Sequence, residues 1–176
     1  MNYFRIIPNG YDKIGGVLYA PKNWPHPIAR DGYEVENWTS LIVELRDGEY
    51  RHFNQCVGGA NIVTEEFKNL LLSYTGADSN IEFLPVKAKS EKYGDRLLYI
   101  LHFKIIYDVI NKKKTIYVEG TDSILKLRLD KDKVKNLKIF NSQPAIRDVI
   151  VSEDVYKAIK KNKLNSGIIF REIAAV

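Results

Sequence analysis

Within residues 61–86 the apolar positions change period twice. After Ile62 and Val63, the residues Phe67, Leu70, Leu71 and Tyr74 recur at i, i+3, i+4 and i+7, which draws one apolar stripe along a helix. Thr64 stands at the N-cap position, with a hydroxyl able to accept an orphan backbone N–H. Glu65 and Glu66 fill the first turn, where the helix dipole favours carboxylates. Gly76 is a natural stop, and "GADSN" supplies turn chemistry. From Ile81 the period falls to two, so "IEFLPVKA" predicts a strand, with Pro85 marking an edge or strand end.

The same devices return near the C-terminus. "NIVTEEFKNLL" (61–71) is echoed by "VIVSEDVYKAI" (149–159) at an offset of 88, and "IEFLPV" (81–86) by "IIFREI" (168–173). Ser152 takes the cap position, Glu153 and Asp154 the first turn, and Val155, Ala158 and Ile159 the stripe, while Gly167 precedes the strand. Both repeats, 61–86 and 148–173, therefore predict a strand end, a capped helix, a glycine turn and a strand. Isolated helices of this length are marginal in water, so each copy needs cover. Two copies are too few for a solenoid. The expectation is one pseudo-symmetric core in which both copies pack on a shared sheet.

The intervening residues are strand-like. "RLLYILHFKIIYDV" (96–109) is too rich in β-branched and aromatic residues to favour helix. "TIYVEG" (115–120) and "ILKLRL" (124–129) predict a hairpin-like pair. "DKDKVKN" predicts a polar turn or short helix before the strand "LKIFNS" (137–142). In the N-terminal third, "YFRII" and "SLIVELRDGEY" predict strands, and "PKNWPHPIARDG" a proline-punctuated loop. No linker divides the chain, so residues 1–176 are expected to form a single α+β domain, with a mixed or antiparallel sheet and two capped helices.

Composition narrows the function classes. At 176 residues the chain can bury one substantial core. There is no apolar run long enough to cross a bilayer, and "MNYFRIIPNGYDKIGG" lacks the features of a secretion signal, so a cytoplasmic location and no membrane contact are expected. Cys56, the single cysteine, can form no internal disulfide and no cysteine-based metal cluster, and is expected to be a buried small hydrophobe. The net charge of +5 is unevenly placed: residues 1–90 carry 9 Lys+Arg against 11 Asp+Glu, and residues 91–176 carry 18 against 11. The basic clusters are "NKKKT", "DKDKVKNLK" and "YKAIKKNK"; lysines interleaved with aspartates, as in the second, or set on turns and an outer helix face have the pattern of a solvated surface. The acidic excess is concentrated in residues 31–50, with six carboxylates and one arginine.

Candidate chemistry is sparse. "VGGAN" (57–61) lacks the spacing and the lysine of a phosphate loop. His26, His52 and His102 are far apart, and His102, within an apolar strand, is expected to be a hydrogen-bonded core or strand-face residue and not a ligand. His52 and Cys56 would form a thiolate–imidazole pair if "RHFNQC" were helical, but "GEYRHF" predicts a strand. The acidic pairs at both helix starts are explained by the helix dipole. No catalytic, cofactor-binding or metal-binding residue is assigned. Trp24 and Trp38 lie among charged residues and prolines, an arrangement shared by interface hot spots and by side chains covering a core rim.

The features "IVTEEFKNLL", "IEFLPV", "YILHFKIIYDVI", "LKIF" and "VIVSEDVYKAIKKNKLNSGIIFREI" resemble a family of bacterial immunity proteins of polymorphic toxin systems. That family shows a serine-acidic helix start twice, an "eFlPV" strand and a closing glycine–phenylalanine strand. Here Thr64 replaces the first serine, while Gly167 and Phe170 keep the closing pattern. The resemblance covers residues 60–176, with 1–59 a divergent N-terminal part. It implies a non-enzymatic protein that binds and neutralises a cognate toxin domain. Because the resembling segments are packing motifs, contact with the toxin is expected in "RDGYEVENW", at Asp31, Tyr33, Glu34, Glu36 and Trp38, which combine carboxylates for steering with aromatics for anchoring. Immunity proteins to nuclease toxins are often acidic. A net +5 therefore requires either a local acidic surface or a toxin that is not a nuclease. The alternative reading is a nucleic-acid- or phosphate-binding module using the basic C-terminal half.

Overall fold

The computed structural model describes residues 2–9, 15–22, 24, 32–75, 80–142 and 149–176. In chain order the elements are β1 (Asn2–Pro8), β2 (Val17–Tyr19), β3 (Leu41–Arg46), β4 (Phe53–Val57), β5 (Asn61–Val63), α1 (Glu65–Thr75), β6 (Ile81–Lys89) and β7 (Arg96–Phe103). There follow β8 (Ile116–Tyr117), β9 (Ile124–Lys126), α2 (Lys131–Val134), β10 (Ile139–Phe140), β11 (Val149–Ser152), α3 (Glu153–Lys161) and β12 (Ile168–Ala174). The fold is α+β and mostly sheet. A closed mixed barrel runs β2–β3–β6–β7–β5–β4, and a four-stranded antiparallel sheet runs β10–β11–β1–β12.

The repeated passage builds the same unit twice. In the first copy β5 and β6 flank β7, both antiparallel to it, so that Val63 and Pro85 stand on either side of Tyr99. In the second, β11 and β12 flank β1, and Val151 and Glu172 stand on either side of Phe4. The shared-sheet expectation is corrected here: each copy's strands enter a different sheet, and what the copies share is a core. The reason lies in the central strand. The first copy takes the next strand along the chain, whereas the second takes β1 from the other end, which makes the N-terminal residues central to the four-stranded sheet.

Alternation then sorts side chains into three apolar layers. Ile62, Leu84, Val86, Leu98 and Ile100 point into the barrel with Val43, whereas Val63, Tyr99, Leu101 and Phe103 point outward onto the helices. Phe67 and Leu71 of α1 and Val155 and Ile159 of α3 join this middle layer, together with Ile6, Val149 and Val151 from the sheet. The opposite face of the sheet, with Tyr3, Ile150 and Phe140, is covered by Val109, Leu129 and Val134. Tyr3 closes that contact by donating its hydroxyl to the Val134 carbonyl at 2.5 Å.

The two helix starts are not equivalent. At α1 the Phe67 N–H approaches Thr64 Oγ1 at 3.4 Å, as a cap requires. At α3 the expected cap bond from Ser152 is absent. Its hydroxyl instead donates to Asp154 Oδ1 at 2.5 Å, and Lys138 Nζ holds Asp154 Oδ2 at 2.6 Å. Gly76 and the first residue of the second repeat lie outside the described residues. Gly167 has φ +79°, and a Cβ there would stand 2.1 Å from the Phe53 carbonyl, so this turn requires glycine for both conformation and space. The 96–109 run ends as a strand at Phe103, and the 115–129 pair forms a short ribbon of β8 and β9.

Candidate interaction site at the barrel end

The interior rows of the barrel end in two polar residues. Following Val86 and Leu84 on β6, and Leu98 and Ile100 on β7, alternation brings Glu82 and His102 to the same face, where they are cross-strand partners. His102 is fully buried and places Nε2 2.9 Å from the Tyr33 carbonyl. A carbonyl only accepts, so Nε2 carries the proton and donates it. Glu82 Oε1 accepts the Val35 N–H at 2.9 Å and lies 3.6 Å from His102 Nε2. Gly32 N–H donates to the Phe103 carbonyl at 2.8 Å, and Trp38 Nε1 donates to the Pro85 carbonyl at 2.9 Å.

Residues 32–38 are thereby strapped across the end of the barrel. Val35 and Trp38 pack against its core, and the Tyr33 ring meets His102 edge-on, with centroids 4.9 Å apart. Glu34 and Glu36 project into solvent. Glu34 is 72% exposed, and its 3.9 Å approach to Lys104 is a surface pair of little energetic weight. Of the five residues expected to meet a toxin, the structure thus brings four onto one strap and divides them. The carboxylates of Glu34 and Glu36 face outward, while Tyr33 and Trp38 are half-buried against the barrel. Asp31 lies outside the described residues. His102 is the buried, hydrogen-bonded residue its place in an apolar strand predicts, while Glu82, which holds the strap with it, has no such signal in the sequence.

The remaining candidates are engaged elsewhere. Cys56 is buried in the barrel core, and burial pushes its thiol up to about 12, far from a nucleophile's range. His52 Nδ1 lies 2.8 Å from Thr64 Oγ1, and burial lowers the imidazole's affinity for protons. The thiolate–imidazole pair is therefore not assembled, because residues 53–57 are a strand that turns Cys56 into the barrel. Trp24 is half-buried against the barrel core. An open cleft of about 870 Å³ beside Glu44, Arg46, Lys89 and Tyr93 has its Glu44 and Arg46 paired with each other at 2.7 Å. Among the described residues no group of three or more His, Cys, Asp or Glu could hold a metal ion, and no helix is long and apolar enough to cross a membrane.

The described residues define an α+β protein whose buried polar groups hold surface segments in place. The chain belongs to the Immunity protein family (Imm11), which matches residues 45–175. Membership carries an immunity role and, in general, a toxin partner. The match begins upstream of residue 60, so the family unit includes β4 and the last residues of β3 as well as both repeats. No curated protein matches the chain.

Proposed function

We propose that the chain is the cytoplasmic immunity protein of a polymorphic toxin system and neutralises one cognate toxin domain by binding it, without catalysis. The family match over residues 45–175 carries this reading. The strap at the barrel end supports a place for contact: Glu34 and Glu36 are presented outward on a segment fixed by hydrogen bonds to β6 and β7. Two exposed carboxylates on a rigid support steer a basic partner at short range even on a cationic molecule, because salt screens the net charge within about 10 Å. Tyr33 and Trp38 serve this surface from beneath by fixing the strap.

Co-expression with the toxin domain encoded beside the chain's gene tests the proposal. The expected result is rescue of growth and co-purification of a stoichiometric complex. A toxin that stays lethal and does not co-purify would refute it.

A further inference from the structure

The β8–β9 ribbon is a separate two-stranded sheet, and none of its residues from Ile116 to Lys126 joins the three apolar clusters. Its base is fastened by buried Thr115, whose hydroxyl accepts the Arg128 N–H at 3.1 Å. Its far end is closed by the Val118 N–H donating to the Ser123 carbonyl at 2.8 Å. Pairing steps from Ile116↔Lys126 to Tyr117↔Ile124, which leaves Leu125 as an extra residue in a bulge. Leu125 is 72% exposed, more than any other large apolar side chain described, and Ile116, Tyr117 and Val118 are exposed on the same ribbon.

An isolated ribbon of two strands gains little from its own contacts, so four uncovered apolar side chains on it do not contribute to the core. Exposed apolar side chains carried on a ribbon outside the core and rimmed by charge mark an interaction site. The rim here is cationic. Lys112, Lys113 and Lys114 in the turn before β8, and Lys126 on β9, are all exposed, and none pairs with a carboxylate among the described residues. The opposing charges, Glu119 and Asp122, sit at the tip.

We infer that this arm is a second toxin-docking element: its apolar ridge enters a groove on the toxin domain that is rimmed by carboxylates, which the four lysines meet. The inference rests on the immunity reading above and adds the chemistry of the partner's surface. A protein groove fits better than a nucleic acid strand. Strand binding relies on aromatic platforms, and three of the four ridge residues are aliphatic, with carboxylates at the tip that repel phosphate. The arm and the strap meet groups of opposite sign, so their variants report on different parts of one complex.

The test uses the full chain and the catalytically inactivated toxin domain encoded beside its gene. Leu125→Asp and Val118→Ser alter side chains that contribute nothing to the core, and unchanged thermal melting verifies folding. Each should weaken toxin binding, the pair by at least about 100-fold and mainly through faster dissociation. Amides of 115–126 should gain hydrogen-exchange protection in the complex. Replacing Lys112, Lys113 and Lys114 by glutamate, on an exposed turn, gives the same reading should the ridge variants fail to fold: binding weakens and its salt dependence shrinks. If the wild-type chain binds toxin and these variants bind equally well, the arm is not a docking element, while the immunity reading stands. If the wild-type chain neither binds nor rescues, both fall. A wild-type dimer that Leu125→Asp dissociates, or salt-sensitive RNA binding lost with the lysines while toxin binding persists, gives the arm another occupant and overturns the inference.

Discussion

His52 Nδ1 lies 2.8 Å from Thr64 Oγ1, and this contact ties the first turn of α1 to the residue that leads into β4. Thr64 is buried, so its hydroxyl serves the helix N–H and the imidazole with no water to replace it. Ser152 at the matching position of α3 serves Asp154 instead, and the Asp154 side chain is 46% exposed and can turn to water. Thr64→Ala should therefore cost about 1–2 kcal/mol. Ser152→Ala should cost less than about 1 kcal/mol, since it leaves no buried group unsatisfied. Urea denaturation of the two variants measures the difference; equal losses would mean that the two starts are capped alike.

Three groups make stability fall as the pH is lowered, in different windows. Burial holds His52 below its ordinary 6.5, so the unfolded chain binds that proton more tightly and stability falls as pH drops below 6.5. Glu66 is held below 4.5 by its own backbone N–H and by the Thr64 hydroxyl. Asp154 is pushed up by burial, but the bonds from Lys138 and Ser152 outweigh that and hold it below 3.8. The two carboxylates contribute stability that is present above their unfolded values and lost as pH falls through their folded ones. Urea midpoints should fall in two stages on acidification, the first beginning below 6.5 and the second below 4.5. His52→Gln should flatten only the first stage; parallel curves would remove His52 from the account.

How far the sequence reveals this depends on the range of the interaction. The stripe Phe67, Leu70, Leu71 and Tyr74 and its counterpart on α3 are set by local periodicity, and both helices form where the stripes predict them. Ser152 is local as well, but its hydroxyl was captured by a carboxylate fixed by Lys138, a partner that spacing does not show. The pairing of β1 with β11 and β12 joins opposite ends of the chain, and no local pattern specifies it. The strap shows both cases. Inward Tyr33 and Val35 alternate with outward Glu34 and Glu36, a pattern already present in "YEVE". What fixes the strap is Glu82, 47 residues from Val35, and His102, 69 residues from Tyr33.

Helices α1 and α3 pack against each other, with Leu71 and Ile159 both fully buried in the same cluster. Leu71→Ala and Ile159→Ala should each cost about 2–5 kcal/mol, and the double variant should depart from additivity by at least about 0.5 kcal/mol. Chemical denaturation of the four proteins closes the cycle. Strict additivity would show that the two copies of the repeat do not share a core.

Gly167 joins the second copy to the barrel: its carbonyl accepts the Asn9 N–H at 2.9 Å, while the neighbouring Ser166 carbonyl accepts the Phe53 N–H at 3.2 Å. Gly167→Ala must both hold φ at +79° and clear the Phe53 carbonyl, so the start of β4 or of β12 has to shift. A loss above about 2 kcal/mol is expected. Hydrogen exchange should show weaker protection at Phe53 and Asn9 before the rest of the fold. A near-neutral substitution would mean that this turn can rearrange without disturbing either strand.

Charge and aromatic groups on the strap should both affect association but separate in their effect on stability. Glu34 and Glu36 make no contact that the fold depends on, so Glu34→Lys with Glu36→Lys should leave thermal melting within a few degrees of the wild type. Association with the toxin domain should slow by at least about 10-fold at low salt, and the difference should shrink as salt is raised, because steering is screened over a Debye length. Trp38 behaves otherwise. Its indole donates to the Pro85 carbonyl and packs on the barrel core, so Trp38→Phe should lose about 1 kcal/mol of stability through the bond alone. Trp38→Ala should lose more and release the strap, slowing association together with the carboxylates it supports. Stopped-flow binding at two salt concentrations, read beside thermal melting of each variant, distinguishes the two effects. Unchanged association by the charge-reversed protein, folded and stable, would remove the strap from the interface.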